Sequence, residues 1–140
     1  MTDREQIQDV ITLYSIGCSK RDWGLVTGLF TEHGEWCAAG ATISGRAALA
    51  AAMSGFLVKM AYFVQINSPA VIRVDGDRAS AESTIREMGK FADRDEGFEC
   101  MGWYADELVR TAEGWKFSRK TFTGAGTHLV TLGAGPASIV

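Results

Sequence analysis

The sequence contains few of the residues that bind metals or form disulfide bonds. It has three cysteines and two histidines among its 140 residues. Cys18, Cys37 and Cys100 are far apart, with neither the CxxC spacing nor the Cys/His spacing of a metal site. An odd number of scattered cysteines also disfavours a disulfide framework. The pattern predicts free, buried thiols, no metal site and no cofactor.

Long apolar runs and a surplus of basic charge are also missing. Acidic and basic residues are mixed along the chain and give a formal net charge of −3, which offers no basic stripe to nucleic acid or to a membrane surface. No run approaches the ~18 apolar residues of a spanning helix. The first residues, MTDREQIQDV, are too polar for a signal peptide. We expect a cytoplasmic protein of one domain that binds neither nucleic acid nor membrane.

The first part of the chain has helical patterns. Thr2 and Glu5 can form a capping box, and apolar residues then recur at helical spacing, which predicts a first helix over residues 3–20. Asp22 can cap a second, shorter helix, and we expect the chain to turn out of that helix at Gly34.

A strand or hairpin and a third helix are predicted next. The stretch GEWCAAGATIS has the character of a short strand or hairpin. The third helix is predicted to begin at Ser44. Its apolar side is expected to consist of Leu49, Met53, Phe56 and Met60.

The second half of the chain has the character of antiparallel strands. AYFVQINSPAVIRV is predicted to be one long strand with a kink at Pro69, and it ends in the hairpin signal of residues 75–77. RASAESTIREMGK, FECMGWYADELVRT and WKFSRKTF are predicted to follow as further strands. Helices followed by antiparallel strands indicate an α+β domain with helices on one face of a curved sheet. The glycine-rich tail is expected either to lie over this domain or to be mobile.

Several stretches together resemble a known family. Seven residues separate Tyr14 from an Asp-Trp pair, and LFTEHGEW, GRAAL, VDGDRASAES and GWYADELVRTAEGWKFSRK follow in order. In this order and spacing they are similar to the SnoaL-like branch of the nuclear-transport-factor-2-like superfamily. The resemblance implies a cone, with three N-terminal helices packed on a strongly curved antiparallel sheet around an apolar pocket. It also implies a homodimer or higher homo-oligomer, with residues 1–123 as the domain and residues 124–140 as a tail that can cover the pocket.

The catalytic pair of related enzymes is not present at the matching positions. In dehydratase and dehydrochlorinase members, an Asp on the first helix orients a His on the first long strand, and the His removes a proton. The matching residues here are Ser19 and Phe63, which cannot perform that chemistry. The position of the ketosteroid isomerase base falls near Ala38, so that role is also missing unless Glu35 turns inward.

Two other residues are candidates for catalysis. The resemblance places Tyr14 where relatives have a polar group pointing into the cone, and a buried phenol can donate to a carbonyl or enolate oxygen. It places Lys120 where dehydrochlorinase-like members have a cation in the pocket, and a lysine in apolar surroundings can act as a base or anion anchor. The alternatives are that Tyr14 is a plain core aromatic and Lys120 a solvated strand residue.

The remaining candidates would bind a substrate. Asn67 shares strand parity with Phe63 and can bond a substrate or the backbone at the Pro69 kink. Tyr104 and Asp106 have the parity opposite to Trp103 and are expected on the outer face or at a dimer contact. His33 is expected at the surface, and His128 could reach the pocket only if the tail folds over it. The predicted substrate-binding residues are Ser19, Trp23, Trp36, Phe63, Asn67, Met101 and Trp103.

Two functional classes remain open from the sequence. The first is a lyase or isomerase, similar to the dehydratases, that acts on a hydrophobic cyclic or aromatic substrate without the Asp-His pair. The second is a non-catalytic binding protein that has kept the pocket, and the loss of both residues of the pair favours it. We favour the enzyme because apolar pockets with a few polar groups are common sites of small-molecule chemistry. A cone filled by its own side chains would instead indicate a dimerisation module.

Overall fold

The computed structural model describes residues 1–132. Helix α1 spans Asp3–Lys20, as predicted. The hydroxyl of Thr2 accepts a hydrogen bond from the backbone N–H of Glu5, while the Glu5 carboxylate accepts one from the N–H of Thr2. This reciprocal capping satisfies two backbone donors that a helix N-terminus otherwise leaves free.

Helix α2 spans Trp23–Gly28, and the Asp22 carboxylate accepts the N–H of Leu25 at 3.1 Å. The prediction that the chain turns at Gly34 is wrong, because Gly34 lies inside strand β1 (Phe30–Ala38). A Cβ atom at position 34 would lie 3.0 Å from the side chain of Phe30 and 3.1 Å from the carbonyl oxygen of Phe117. Glycine therefore permits close packing against the neighbouring strand here, and it does not end the helix.

The predicted hairpin is formed by β1 and β2 (Ala41–Ser44). Helix α3 spans Arg46–Leu57 and is capped by Gly45, so the start predicted at Ser44 is wrong. Its predicted apolar side is only partly correct, since Leu49 is buried, Phe56 is half exposed and Met60 already belongs to the next strand. Alanines occur on several faces of this helix, so the spacing of its apolar residues does not show which face is buried.

Five strands complete the sheet: β3 (Met60–Asn67), β4 (Val71–Asp75), β5 (Arg78–Phe91), β6 (Glu96–Thr111) and β7 (Gly114–Thr131). The long strand predicted with a kink is two strands, β3 and β4, which both pair with β5. Pro69 lies between them, and a proline cannot donate to a sheet ladder.

The sheet order is β2-β1-β7-β6-β5-β3, with β4 on β5. All pairs are antiparallel except β1 with β7, which is parallel, so the curved sheet is mixed. Strand β7 continues through residue 124, where the tail was expected to begin, and pairs with β6 up to Thr131. The part of the predicted tail at residues 133–140 lies outside the described residues.

The core lies between α1 and the inner face of the sheet. Ile7, Ile11 and Tyr14 on α1 are buried against Phe30 and Phe117. The rings of Phe30 and Phe117 are 5.2 Å apart, and Tyr14 meets both edge to face. Within residues 1–132 no helix is long and apolar enough to span a bilayer. The helices and curved sheet confirm the predicted α+β cone.

Candidate active site

An apolar cavity of about 330 Å³ lies between α1, α3 and the inner face of the sheet. Aromatic rings form much of its wall: Tyr14, Trp36, Phe63, Tyr104 and Phe122. Three of these residues, Tyr14, Trp36 and Phe63, were predicted as site residues from the sequence. A cavity of this size and composition fits a small ring compound.

Glu87 on β5 is a carboxylic acid in this apolar wall. One carboxylate oxygen, Oε2, accepts a hydrogen bond from Nε2 of Gln65 at 3.0 Å. Burial raises the pKa of Glu87, and the Gln65 hydrogen bond offsets part of that increase. A carboxyl group with a raised pKa can both remove and return a proton near neutral pH.

Sequence reasoning did not identify Glu87, although its strand contains the signal. Ala79, Ala81, Ser83 and Ile85 of β5 are all buried on the inner face. Continuing this alternation by one step places Glu87 on the same face. Arg86 and Lys90 lie on either side of Glu87. An acid between two basic residues is typical of a solvated strand end, so the alternation alone did not indicate that Glu87 faces inward.

Gln65 holds Glu87 and is itself fixed from helix α1. The hydroxyl of Ser15 donates to Oε1 of Gln65 at 2.8 Å, and the backbone N–H of Gln65 donates to Oγ of Ser19 at 2.9 Å. Nε2 of Gln65 also donates to the Tyr104 hydroxyl at 3.2 Å. Gln65 therefore has one orientation that satisfies all its partners, and it presents its amide N–H group to Glu87.

Ser19 and Asn67, predicted to bind substrate, belong to this supporting network. Ser19 donates its hydroxyl hydrogen to the carbonyl oxygen of Ser15 and accepts from Gln65, so it links α1 to β3. Asn67 donates to Oγ of Ser83 at 2.8 Å and accepts from Ser15 at 3.3 Å. Both lie beside the cavity and not in its wall.

Lys120 lies behind the cavity wall in a buried ion pair. Its Nζ atom is 3.1 Å and 3.2 Å from the two carboxylate oxygens of Asp106, and both side chains are 0% exposed. The ammonium group also lies 4.4 Å and 3.8 Å from the ring centroids of Tyr14 and Tyr104. Burial lowers the pKa of Lys120 and raises the pKa of Asp106, and the charge of each partner opposes these changes. Lys120 thus contacts the back of the tyrosine rings.

Tyr14 lines the cavity, and its hydroxyl is hydrogen-bonded to Tyr104 and to Cys18. Burial raises the pKa of both tyrosines well above the usual range. Burial also raises the pKa of Cys18 to about 12. These three groups are therefore neutral hydrogen-bonding groups at physiological pH and do not ionise to act as bases.

The prediction of which β6 residues face the cavity is wrong. Met101 and Trp103 are 43% and 46% exposed on the outer face, whereas Tyr104 and Asp106 are buried on the inner face. Each face of this strand offers large apolar residues, so hydrophobicity alone does not identify the inner one. Trp23, on α2, packs against the core and does not line the cavity.

The remaining polar candidates also lie away from the cavity. The Glu35 carboxylate accepts a hydrogen bond from the exposed Ser44 hydroxyl at 3.3 Å. His33 is exposed on β1. His128 is exposed on β7, where its ring is 3.6 Å from the carboxylate of Glu99. Among the residues the structure describes, Glu87 is the acid that lines the cavity.

Comparisons with known proteins agree with this architecture. The family model of the SnoaL-like domain matches residues 1–121. An uncharacterised protein of Mycobacterium tuberculosis is 28% identical over 126 residues, covering 88% of this chain and 86% of that protein.

Two solved structures extend the comparison. An NTF2-like protein with a cystatin-like fold from Novosphingobium aromaticivorans is 26% identical, with a TM-score of 0.77, and the match covers 88% of this chain and 82% of the other. A hexachlorocyclohexane dehydrochlorinase from Novosphingobium barchaimii is 20% identical, with a TM-score of 0.83 and coverage of 95% and 94%. The dehydrochlorinase shares the fold at an identity too low to carry over its activity.

Proposed function

Because the chain belongs to the SnoaL-like domain family, we propose that it is a lyase or isomerase that transfers a proton through Glu87 inside the apolar cavity. The observation that carries this proposal is the Glu87 carboxyl group, which lies in an aromatic wall with its pKa raised by burial. Gln65 holds one oxygen of this carboxyl group. The substrate is proposed to be a hydrophobic cyclic or aromatic compound.

The proposed reaction begins with the carboxylate form of Glu87. As a new O–H bond forms on the carboxylate, a C–H bond next to a substrate carbonyl breaks, and its electron pair moves onto the carbonyl oxygen as an enolate. Protonated Glu87 then returns the proton to a conjugated carbon, which is isomerisation. Alternatively, a leaving group departs from the adjacent carbon with its electron pair, which is elimination.

Tyr14 and Tyr104 are the proposed donors to the developing oxyanion, since both line the cavity. Lys120 is proposed to hold these rings from behind, because its ammonium group is bonded to Asp106 and lies against the ring faces. In this proposal, Glu87 transfers the proton and Lys120 positions the tyrosine rings.

A direct test of proton transfer needs no knowledge of the physiological substrate. We expect the protein to accelerate deuterium exchange at the carbons next to the carbonyl of 2-tetralone, measured by proton NMR in D₂O against buffer alone. Glu87→Gln should lower the catalysed rate by about 10²-fold or more, since a general base typically supplies 10²–10⁴-fold. Glu82→Gln changes an exposed acid of the same strand and should retain the rate.

The same experiment separates the two functional classes. A carrier would bind 2-tetralone, as detected by saturation-transfer NMR, without accelerating exchange in the wild type. That result would favour a small-molecule binding protein over an enzyme, and the missing Asp-His pair would then explain the lack of catalysis. If 2-tetralone neither binds nor exchanges, both proposals for the cavity are overturned.

Assembly is a separate proposal, namely that two copies pair through the outer face of the sheet. Val64 and Ile66 on β3 and Met101 and Trp103 on β6 expose apolar surface there, with β5 between the two pairs and Arg86 in the row between Ile66 and Met101. Beside them, an outer groove contains Arg73, Glu82, Glu107 and Arg119, two charges of each sign. A two-fold interface pairs a patch with itself, so mixed charge around an apolar centre is self-complementary.

A further inference from the structure

Trp36 has a hydrogen-bond donor without a partner. Its indole lines the cavity, while Nε1 is buried and has no hydrogen-bond partner among the described residues. The indole stacks on Phe122, with ring centroids 6.5 Å apart and planes 15° apart. Burying an N–H group without an acceptor destabilises the folded chain, so a donor of this kind points to an acceptor supplied from outside the chain.

The other polar groups in the wall mostly satisfy one another. Gln65 uses its amide for Glu87, Tyr104 and Ser15. Tyr14 is bonded to Tyr104. Of the two carboxylate oxygens of Glu87, Oε2 accepts the hydrogen bond from Gln65. Besides the Tyr14 and Tyr104 hydroxyls, which are the proposed oxyanion donors, the groups left to meet a ligand are the second oxygen of Glu87 and the indole N–H of Trp36.

These two groups come from different parts of the cavity wall. Trp36 is on β1 and Glu87 on β5, with β7 and β6 between them in the sheet. Three strand intervals of about 4.8 Å separate them by roughly 14 Å across the strands. Glu87 also lies six residues further along β5 than Ala81, which is in the row of Trp36. A ligand that meets both groups must extend across the cavity.

We propose that the substrate is a flat, neutral, mainly apolar ring compound with oxygen at both ends. One end carries the carbonyl with the acidic C–H group that faces Glu87. The other end carries an acceptor oxygen, an ether or a second carbonyl, that receives the N–H of Trp36. This inference rests on the proposed function for its Glu87 end, while its Trp36 end is independent of any reaction.

A pair of probes of nearly equal size tests the Trp36 end. The methoxy oxygen of 6-methoxy-2-tetralone is replaced by a methylene group in 6-ethyl-2-tetralone, at the end of the rings opposite the ketone. We expect the wild type to bind the methoxy compound about three- to tenfold more tightly, as measured by isothermal titration calorimetry, since one hydrogen bond contributes roughly 0.5–1.5 kcal/mol. Trp36→Phe should reduce this preference to about one.

Two controls protect this interpretation. Trp103→Phe alters an exposed tryptophan on the outer face and should keep the wild-type preference. If Trp36→Phe does not fold, the wild type alone can test the hydrogen bond by NMR. Its Trp36 indole N–H resonance should move downfield when the methoxy compound is added, and not when the ethyl compound is added. Equal binding of the two compounds by the wild type, or a preference that persists in folded Trp36→Phe, overturns the inference. Neither outcome affects the deuterium exchange of 2-tetralone, because that compound has no oxygen at the Trp36 end. The exchange experiment therefore tests the proposed function independently.

Discussion

At the scale of single residues, Glu87 is a carboxyl group that the fold keeps in unfavourable surroundings. Its wall is apolar, and Gln65 provides the one side-chain hydrogen bond described for it. A group of this kind lowers the stability of the folded chain whenever it is ionised. Such a loss of stability is common at functional sites.

Glu87→Gln should therefore make stability less dependent on pH. The wild-type carboxyl group has its pKa raised from 4.5 on folding, so the folded chain holds a proton that the unfolded chain has already lost. The free energy of unfolding of the wild type should fall as pH rises from 4.5 through the folded pKa, and stay low above it. The variant, with a neutral amide, should gain stability relative to the wild type over that window.

Urea unfolding at several pH values between 4 and 8 measures this difference. The exposed variant Glu82→Gln provides the control, and its difference from the wild type should remain constant across the series. A constant difference for Glu87→Gln as well would mean that burial does not perturb this carboxyl group. Because the variant is expected to be at least as stable as the wild type at neutral pH, a loss of exchange activity would not result from unfolding.

At the scale of secondary-structure elements, β6 carries most of the differences between expectation and structure. Its inner residues, Tyr104 and Asp106, were predicted to lie outside, and its outer residues, Met101 and Trp103, inside. The pairing of β6 with β7 is irregular between Met101 and Gly102. A Cβ atom at Gly102 would collide with the carbonyl oxygen of Thr123 on β7. The two backbones can approach this closely because position 102 has no side chain.

Gly102→Ala should destabilise the chain by about 1–3 kcal/mol, because the added methyl group must push two paired strands apart. The matched control is Gly126→Ala on β7, where a Cβ atom would meet nothing within 4 Å. The control should change the free energy of unfolding by less than about 0.5 kcal/mol. Chemical denaturation of the wild type and the two variants under one set of conditions measures these differences. Equal stability of the two variants would contradict the close contact at Gly102.

At the scale of the whole molecule, the curved sheet has large apolar residues on both faces. The inner face surrounds the core and the cavity, and the outer face exposes Val64, Ile66, Met101 and Trp103 among charged residues. Exposed apolar residues gathered on one face and rimmed by polar residues are typical of an interface. The proposed dimer would cover these residues without closing the cavity on the opposite face.

Trp103→Glu should disrupt this dimer, since an unpaired charge would be buried at the proposed interface. We expect the wild type to have twice the 15.1 kDa mass of the chain in size-exclusion chromatography with light scattering, and the variant to have the mass of one chain. Val58→Glu, at an exposed residue after helix α3, should leave the dimer intact. A wild type that is monomeric, or a dimer that survives Trp103→Glu, would exclude the outer face as the interface.

The sequence by itself determined the order of helices and strands, the bounds of the first helix and the family, because capping, turn residues and period-two alternation act over a few neighbouring residues. It also identified Tyr14, Trp36 and Phe63, which line the cavity. Only the tertiary structure decided the parallel pairing of β1 with β7, the inner side of β6, and the ion pair that removes Lys120 from the cavity. The same holds for the acid at position 87. These features depend on which distant strands meet, and local pattern carries no information about contacts between residues far apart in the chain.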